Sequence, residues 1–222
     1  TIRTHTHIDH SPATPHVKAA TQATTWGFGP HGTTHTGEQV EEGADYDFVP
    51  DQELRDNMLV EGNGWTIEAI HTPGHTSNHI CLALKEENIM FSGDHVMGWS
   101  TTVIAPPDGR MGDYLSSLRK LLERDDQLFR PTHGPAITNP KSLVTSFLNH
   151  RAKRITQILR CVRNGEYTIE EIVRSIYANH DPRLHRAAAH SIFAHLIGMV
   201  EDEHVSCEDA IPTLVSHYSP VN

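Results

Sequence analysis

The string His5-Thr6-His7-Ile8-Asp9-His10 constrains this chain more than any other feature: four groups able to ligate a metal fall within six residues. On a strand, His5 and His7 point to the same side, and Asp9 and His10 then occupy the turn beyond. Imidazole and carboxylate together suit a divalent metal, with zinc first. The plainer reading is a histidine-rich surface loop, since the chain holds 18 His. Further ligand-competent groups downstream argue against it. His75 sits in Thr72-Pro73-Gly74-His75-Thr76. Asp94 sits in Phe91-Ser92-Gly93-Asp94-His95, after the apolar Ile89-Met90-Phe91. His133 sits in Pro131-Thr132-His133-Gly134, after Leu128-Phe129. Each is expected at the end of a strand, where a rigid scaffold presents loop residues to solvent.

HxHxDH, then His, Asp and His in that order across residues 5–134, resembles the metallo-beta-lactamase superfamily of hydrolases. The resemblance implies an α/β fold, the αββα sandwich of that superfamily, here without its first strands. It implies His5, His7 and His75 as ligands of one metal, Asp9, His10 and His133 as ligands of a second, and Asp94 as a bridge. Two divalent ions are therefore expected, zinc first, with manganese or iron as alternatives. A hydroxide between them would be the nucleophile, with Asp9 and Asp94 as the catalytic carboxylates and Asp9 orienting the hydroxide. Such ions lower the pKa of bound water to about 7, polarise the scissile oxygen and, about 3.5–4 Å apart, stabilise both attacking and leaving oxygens. Antibiotic-destroying members carry Cys or Ser near Asp94. A bridging Asp is similar instead to hydroxyacylglutathione hydrolases and RNA-processing members. The expected substrate is thus a small ester, thioester or related acyl compound. The alternatives are a single-stranded RNA endonuclease, a mononuclear iron dioxygenase and an inactive, truncated scaffold.

At 222 residues the chain can bury a core in one or two domains. We expect a catalytic domain over 1–149 and a winged-helix-like domain over 150–222. In the first, Ser11-Pro12 predicts a helix start running to about Thr21. Strands are expected at Thr24–Phe28, Met58–Val60, Trp65–Ile70, Ile80–Leu84 and Ile89–Phe91. A helical stripe follows over Gly112–Arg124. Residues 29–47 read as an acid-rich solvated loop carrying Glu38, Glu41, Glu42, Asp45 and Asp47, with His31 and His35 exposed. A helix is expected after Asn139-Pro140, and a separate one through Ile155, Ile158, Leu159 and Val162. Thr168-Ile169-Glu170-Glu171 has the form of a capping box. Asp181-Pro182 opens a long helix, and Val205 with the tail suggests a hairpin. This C-terminal pattern and Ser92–Thr102 resemble the beta-lactamase-like protein 2 subgroup, whose animal members are associated with single-stranded RNA.

Charge does not favour nucleic acid. Residues 1–150 hold 10 Lys and Arg against 19 Asp and Glu, and residues 151–222 hold 8 against 9. Polyphosphate binding needs a basic track. The one basic run, Arg151, Lys153, Arg154, Arg160 and Arg163, reads as a solvated helix face. Among the remaining histidines, His79 is weighed evenly between a supporting or substrate-contacting group and an ordinary strand-start residue. His95 is expected to orient Asp94, His71 to support its turn, and Tyr114 to touch substrate. His185, His190 and His195, five apart, do not line one helical face, so no second metal site is expected from them. Cys81, Cys161 and Cys207 are odd in number and widely spaced, with Cys81 a buried thiol; they fit a reducing cytoplasm. No apolar run spans a membrane, and no leader sequence is evident. The chain opens four residues before the first ligand. We expect a fragment of a longer gene, or strands supplied by a neighbouring copy across an unpaired edge in a homo-oligomer.

Overall fold

A computed structural model describes residues 1–32 and 43–221, so the expectations for His35, Glu38, Glu41 and Glu42 lie outside the described residues. The chain divides into two compact units, Thr1–Ser146 and Phe147–Asn222.

The first unit begins with α1 (Ala13–Thr21) and two short strands, β1 (Trp26–Gly27) and β2 (Gln52–Glu53), paired in parallel. β3 (Leu59–Gly62), β4 (Trp65–His71), β5 (Ile80–Leu84) and β6 (Ile89–Gly93) follow, then α2 (Met111–Leu122) and β7 (Leu128–Pro131). The sheet order is β3-β4-β5-β6-β7, antiparallel except for the parallel β6–β7 pair. The Gly62-Asn63-Gly64 turn joins β3 to β4 as the sequence predicts, with Gly62 paired to Trp65. Leu54, Ala69, Ile80 and Leu82 form one core cluster, against which Ile2, Trp26 and Phe28 pack. The α2 stripe Met111, Tyr114, Leu118 and Leu121 is buried. Ser117 Oγ donates to Pro73 O at 2.8 Å and Lys120 Nζ to His71 O at 3.0 Å, which fastens α2 to the loop carrying His75.

Four local expectations need correction. The Thr24–Phe28 strand shrinks to two residues because Asp51 Oδ2 accepts from both Thr25 N (2.9 Å) and Thr25 Oγ1 (2.8 Å), replacing a backbone ladder. Ser11 does not cap α1; its hydroxyl donates to Asp45, which also pairs with Arg3 Nη1 at 3.1 Å. Asp45 is therefore tied into the unit rather than free in a solvated loop. His5 and His7 lie on extended chain but not on a regular strand. The backbone there bonds one segment after another: Arg3 N to Trp26 O (2.9 Å), Ile80 N to Thr4 O (2.8 Å) and Asp45 N to Thr6 O (2.7 Å).

α3 (Pro140–Arg163) is a single 24-residue helix where two were expected, and the division between the units falls within it. In the second unit, α4 (Ile169–Ile176) opens with the full Thr168/Glu171 capping box. Asp181 caps a 3-10 turn, Pro182–Leu184, that leads into α5 (His185–Glu201), and β8 (Val205–Cys207) pairs antiparallel with β9 (Tyr218–Pro220). Ile158, Val162, Ile172, Ile192, Leu196 and Tyr218 centre its core. The basic run is not wholly a solvated face. Arg151 is buried, and the Arg154 guanidinium lies 4.6 Å from the Tyr177 ring centroid.

His195 sits inside this unit and donates through Nδ1 to Ser191 O at 2.7 Å. Burial first, and the Arg151 charge second, push its pKa down to about 3. The unfolded chain takes up a proton near pH 6.5 that the folded unit refuses. The stability contributed by neutral His195 is full above pH 6.5 and lost as pH falls from there toward 3. His195→Gln should therefore flatten the loss of stability between pH 7 and 4.5, measured by urea unfolding followed by far-ultraviolet circular dichroism.

Candidate metal centre

The seven expected ligands converge as two clusters, His5 with His7 and His75, and Asp9 with His10, Asp94 and His133, whose donor atoms lie within 4.8 Å of one another. Asp94 Oδ2 lies 3.5 Å from His10 Nε2, 3.6 Å from His133 Nε2 and 3.8 Å from His75 Nε2, so it stands where the two clusters meet. Two donors each about 2.1 Å from a tetrahedral ion are about 3.4 Å apart, close to these spacings. His5 Nε2 and Asp94 Oδ1 are buried without hydrogen-bond partners among the described residues. Buried polar atoms are normally satisfied, and a cation would satisfy both.

Protonation states fit the same use. Burial, reinforced by the neighbouring imidazoles His75, His79, His10 and His7, holds His5 well below its ordinary pKa. Burial with His75 and His31 pushes His7 down to about 3. Burial also lowers His75. These rings are therefore neutral, as metal ligands must be. Burial opposes charge on His10, yet its hydrogen bond to Asp94 and the charges of Asp94 and Asp9 raise its pKa. Burial likewise disfavours an ionised Asp94, but the His10 hydrogen bond and charge outweigh it and lower the carboxyl. His75 Nδ1 faces the carbonyl of Val103 at 2.8 Å and so carries the proton, which leaves the Nε2 lone pair for a cation.

His79 is fully buried. Its Nε2 accepts from Asp94 N at 3.2 Å, so the proton sits on Nδ1, which donates to Thr72 Oγ1 at 2.9 Å. Thr72 Oγ1 lies 3.3 Å from Cys81 Sγ, and Cys81 donates to Ser92 O at 3.5 Å. Three strands are thereby locked around the backbone that carries Asp94. Burial pushes the Cys81 thiol up to about 12, making it an inert member of this chain. The expectation that His95 orients Asp94 is not met: among the described residues both its ring nitrogens lack hydrogen-bond partners, and the ring packs 4.8 Å from Tyr114. Tyr114 is itself fully buried. His31 is not exposed either. Its ring lies 2.9 Å from Thr6 Oγ1 and 3.6 Å from Asp108 Oδ2, with its side chain 5% accessible. His71 supports its turn as expected, through Nε2 to Ser77 O at 3.0 Å and a ring stack on Phe28.

Above the clusters opens a cavity of about 420 Å³. His7, Asp9, His75, Asp94 and His133 reach it from one side, and Met97, Trp99, Ser100 and Val103 from another. Sequence reasoning gave no role to Thr72, Trp99 or Val103. The Trp99 signal was available: a large apolar side chain in the polar loop just after Asp94.

The metallo-beta-lactamase superfamily model matches residues 2–133, more than half of the chain. The chain belongs to that superfamily. The matched part is an α/β sandwich domain with a mixed sheet and flanking helices. A beta-lactamase associated winged helix domain model matches residues 168–211, so a separate small winged-helix-like domain follows. An atrochrysone carboxyl ACP thioesterase of Aspergillus chevalieri is 31% identical over 57% of this chain and 42% of its own length. A beta-lactamase-like protein 2 homolog of Caenorhabditis elegans is 33% identical over 62% of this chain and 45% of its own. The chain thus spans less than half the length of these two curated relatives. A beta-lactamase domain protein from Burkholderia ambifaria shares the fold, with a TM-score of 0.79 at 18% identity over 99% of this chain and 73% of that one. Among the described residues no helix is long and apolar enough to cross a membrane.

Gly93 shows how tightly Asp94 is held. Its φ is +53°, and a Cβ there would lie 2.5 Å from His79 Nε2 and 3.0 Å from Thr4 Cβ. Gly93→Ala should cost about 1–3 kcal/mol from backbone strain alone and lower the zinc retained after dialysis, read by denaturant unfolding and elemental analysis.

Proposed function

We propose that this protein is a dinuclear metal-dependent hydrolase of acyl esters or thioesters. The carrying observation is the position of Asp94 Oδ2, within 3.8 Å of imidazoles from both clusters. In this reading His5, His7 and His75 hold one divalent ion, Asp9, His10 and His133 hold another, and Asp94 serves both. Zinc is the first choice for this mixture of imidazole and carboxylate, with manganese and iron as alternatives. When bound, the ions supply a water of lowered pKa and polarise the acyl oxygen.

The chain's own residues supply position and charge balance. Asp9 opens onto the cavity, and its Oδ2 lies 3.1 Å from His133 Nε2, a spacing that two ligands of one ion can share. It is placed to accept a hydrogen bond from an entering water and turn that water toward the acyl carbon. Asp94 is fixed at its backbone by His79, and His75 is fixed in one tautomer by Val103. Thioesterase names among the relatives support acyl transfer to water as the reaction class. The Caenorhabditis elegans relative's name supports a place near the beta-lactamase-like protein 2 group. The ribonuclease reading has less support, because Arg151 is buried and Arg154 packs on Tyr177.

Elemental mass spectrometry of the purified chain should find about two equivalents of divalent metal, and Asp94→Ala should hold less than one. The wild type should hydrolyse an N-acetylcysteamine thioester, with activity removed by chelation and restored by zinc. Asp94→Ala should fall to background. One equivalent of iron with no hydrolysis would replace this reading with dioxygenase chemistry.

A further inference from the structure

The loop from Asp94 to Val103 does two things at once. Its end holds a metal-ligand histidine, and its middle exposes apolar surface over the cavity. Val103 presents its carbonyl to His75 Nδ1, while its side chain is half exposed at the cavity. Trp99 is 70% exposed, the kind of large apolar surface that a folded chain leaves in water for a reason. Its ring lies within 9° of parallel to that of His133, with centroids 6.0 Å apart, inside the range of offset stacking.

The loop is held in this shape. Gly98 N donates to His133 O at 3.0 Å, and a Cβ on Gly98 would meet Pro135 O at 2.3 Å. Thr102 Oγ1 donates to the carbonyls of Asp94 and His95, and Ser92 Oγ to Val96 O at 2.8 Å. The residue before Trp99 is therefore wedged against the His133 loop, and the ring is presented at a fixed distance from the metal clusters. A platform of this kind binds without paying for its own ordering.

We propose that Trp99, flanked by Met97 and Val103, is the binding surface for an uncharged aromatic acyl group of the substrate. This rests on the acyl hydrolase reading and adds the substrate class. Three observations select the ligand. The cavity, about 420 Å³, is far larger than an acetyl group needs and falls in the range that encloses drug-sized ligands. Its largest exposed apolar group is the flat indole of Trp99, with the smaller Val103 beside it. No Lys or Arg lines it among the described residues, so away from the ligand clusters no basic side chain would pair with a charge on the acyl group. The carboxyl carbon would lie over Asp94, between the clusters, and the ring on Trp99.

Calorimetry on the zinc-loaded protein tests this with two product analogues, 2-naphthoate and acetate. Stacking and burial on an indole together are expected to give naphthoate at least a tenfold preference. Trp99→Ala should remove at least half of that preference on a logarithmic scale, while Trp99→Phe should retain it. Any smaller preference, or any smaller loss, overturns the proposal. Should Trp99→Ala fold poorly, Trp99→Gln, which keeps bulk without a ring, replaces it. Turnover of benzoyl and acetyl thioesters of N-acetylcysteamine is followed in parallel. A Trp99-dependent preference without any turnover would sink the hydrolase reading and leave the aromatic subsite standing. Turnover with no Trp99-dependent preference would do the reverse.

Discussion

Burying imidazole is cheap only while it stays neutral, and the first unit of this chain depends on that condition. His5, His75, His79 and His95 are all nearly or fully inaccessible, and burial lowers the pKa of each. Mutual repulsion among them adds to the effect, so a proton on one ring disfavours protons on the others. The only acid among the buried ligands, Asp94, is kept ionised by His10 beside it. The fold thus gathers neutral imidazoles about Asp94, with Asp9 and His10 beside it. Such a mixture of imidazole and carboxylate is well suited to a borderline divalent cation. Every strand end that delivers a ligand serves this balance.

The rigidity around Asp94 follows from the same need. A carboxylate that must face two clusters cannot swing, and its backbone is fixed by a histidine that is itself fixed by a threonine and a thiol. The chain Asp94–His79–Thr72–Cys81–Ser92 ties the end of β4 to β5 and β6. His79, Thr72, Cys81 and Ser92 reach no ligand position themselves; they hold the backbone that positions Asp94.

Much of this was legible in the sequence. Each of the seven ligand-competent residues stands beside a local signal: a Pro-Gly turn at His75, an apolar run before Asp94, another before His133. The strands β3 to β6 follow from alternating or continuous apolar residues with Gly-rich turns between them. Long-range partners were not legible. His79 looked like a residue beside a site, because nothing local shows that Asp94 N, fifteen residues on, would occupy its Nε2. Tyr114 looked polar and available, but its position on the buried stripe of α2 decides its fate. His31 looked solvated because its partners, Thr6 and Asp108, come from distant loops. Arg151 looked like part of a charged face, and tertiary packing buried it. The continuity of α3 was missed because a change in composition near residue 150 was read as the end of a helix, whereas a helix without breakers runs on across the division between the units.

Val103 grips His75 through its main-chain oxygen, not its side chain. A carbonyl is present whatever residue occupies the position. Position 103 can therefore change size and shape without loosening the histidine, provided the backbone keeps its path. The fold has in effect separated two kinds of inheritance on one loop. Backbone atoms hold the candidate ligand in place, while side chains are left free to change what the cavity accepts. Diversification of substrate among relatives of this chain would then begin at side chains such as those of residues 99 and 103, long before any ligand had to be replaced.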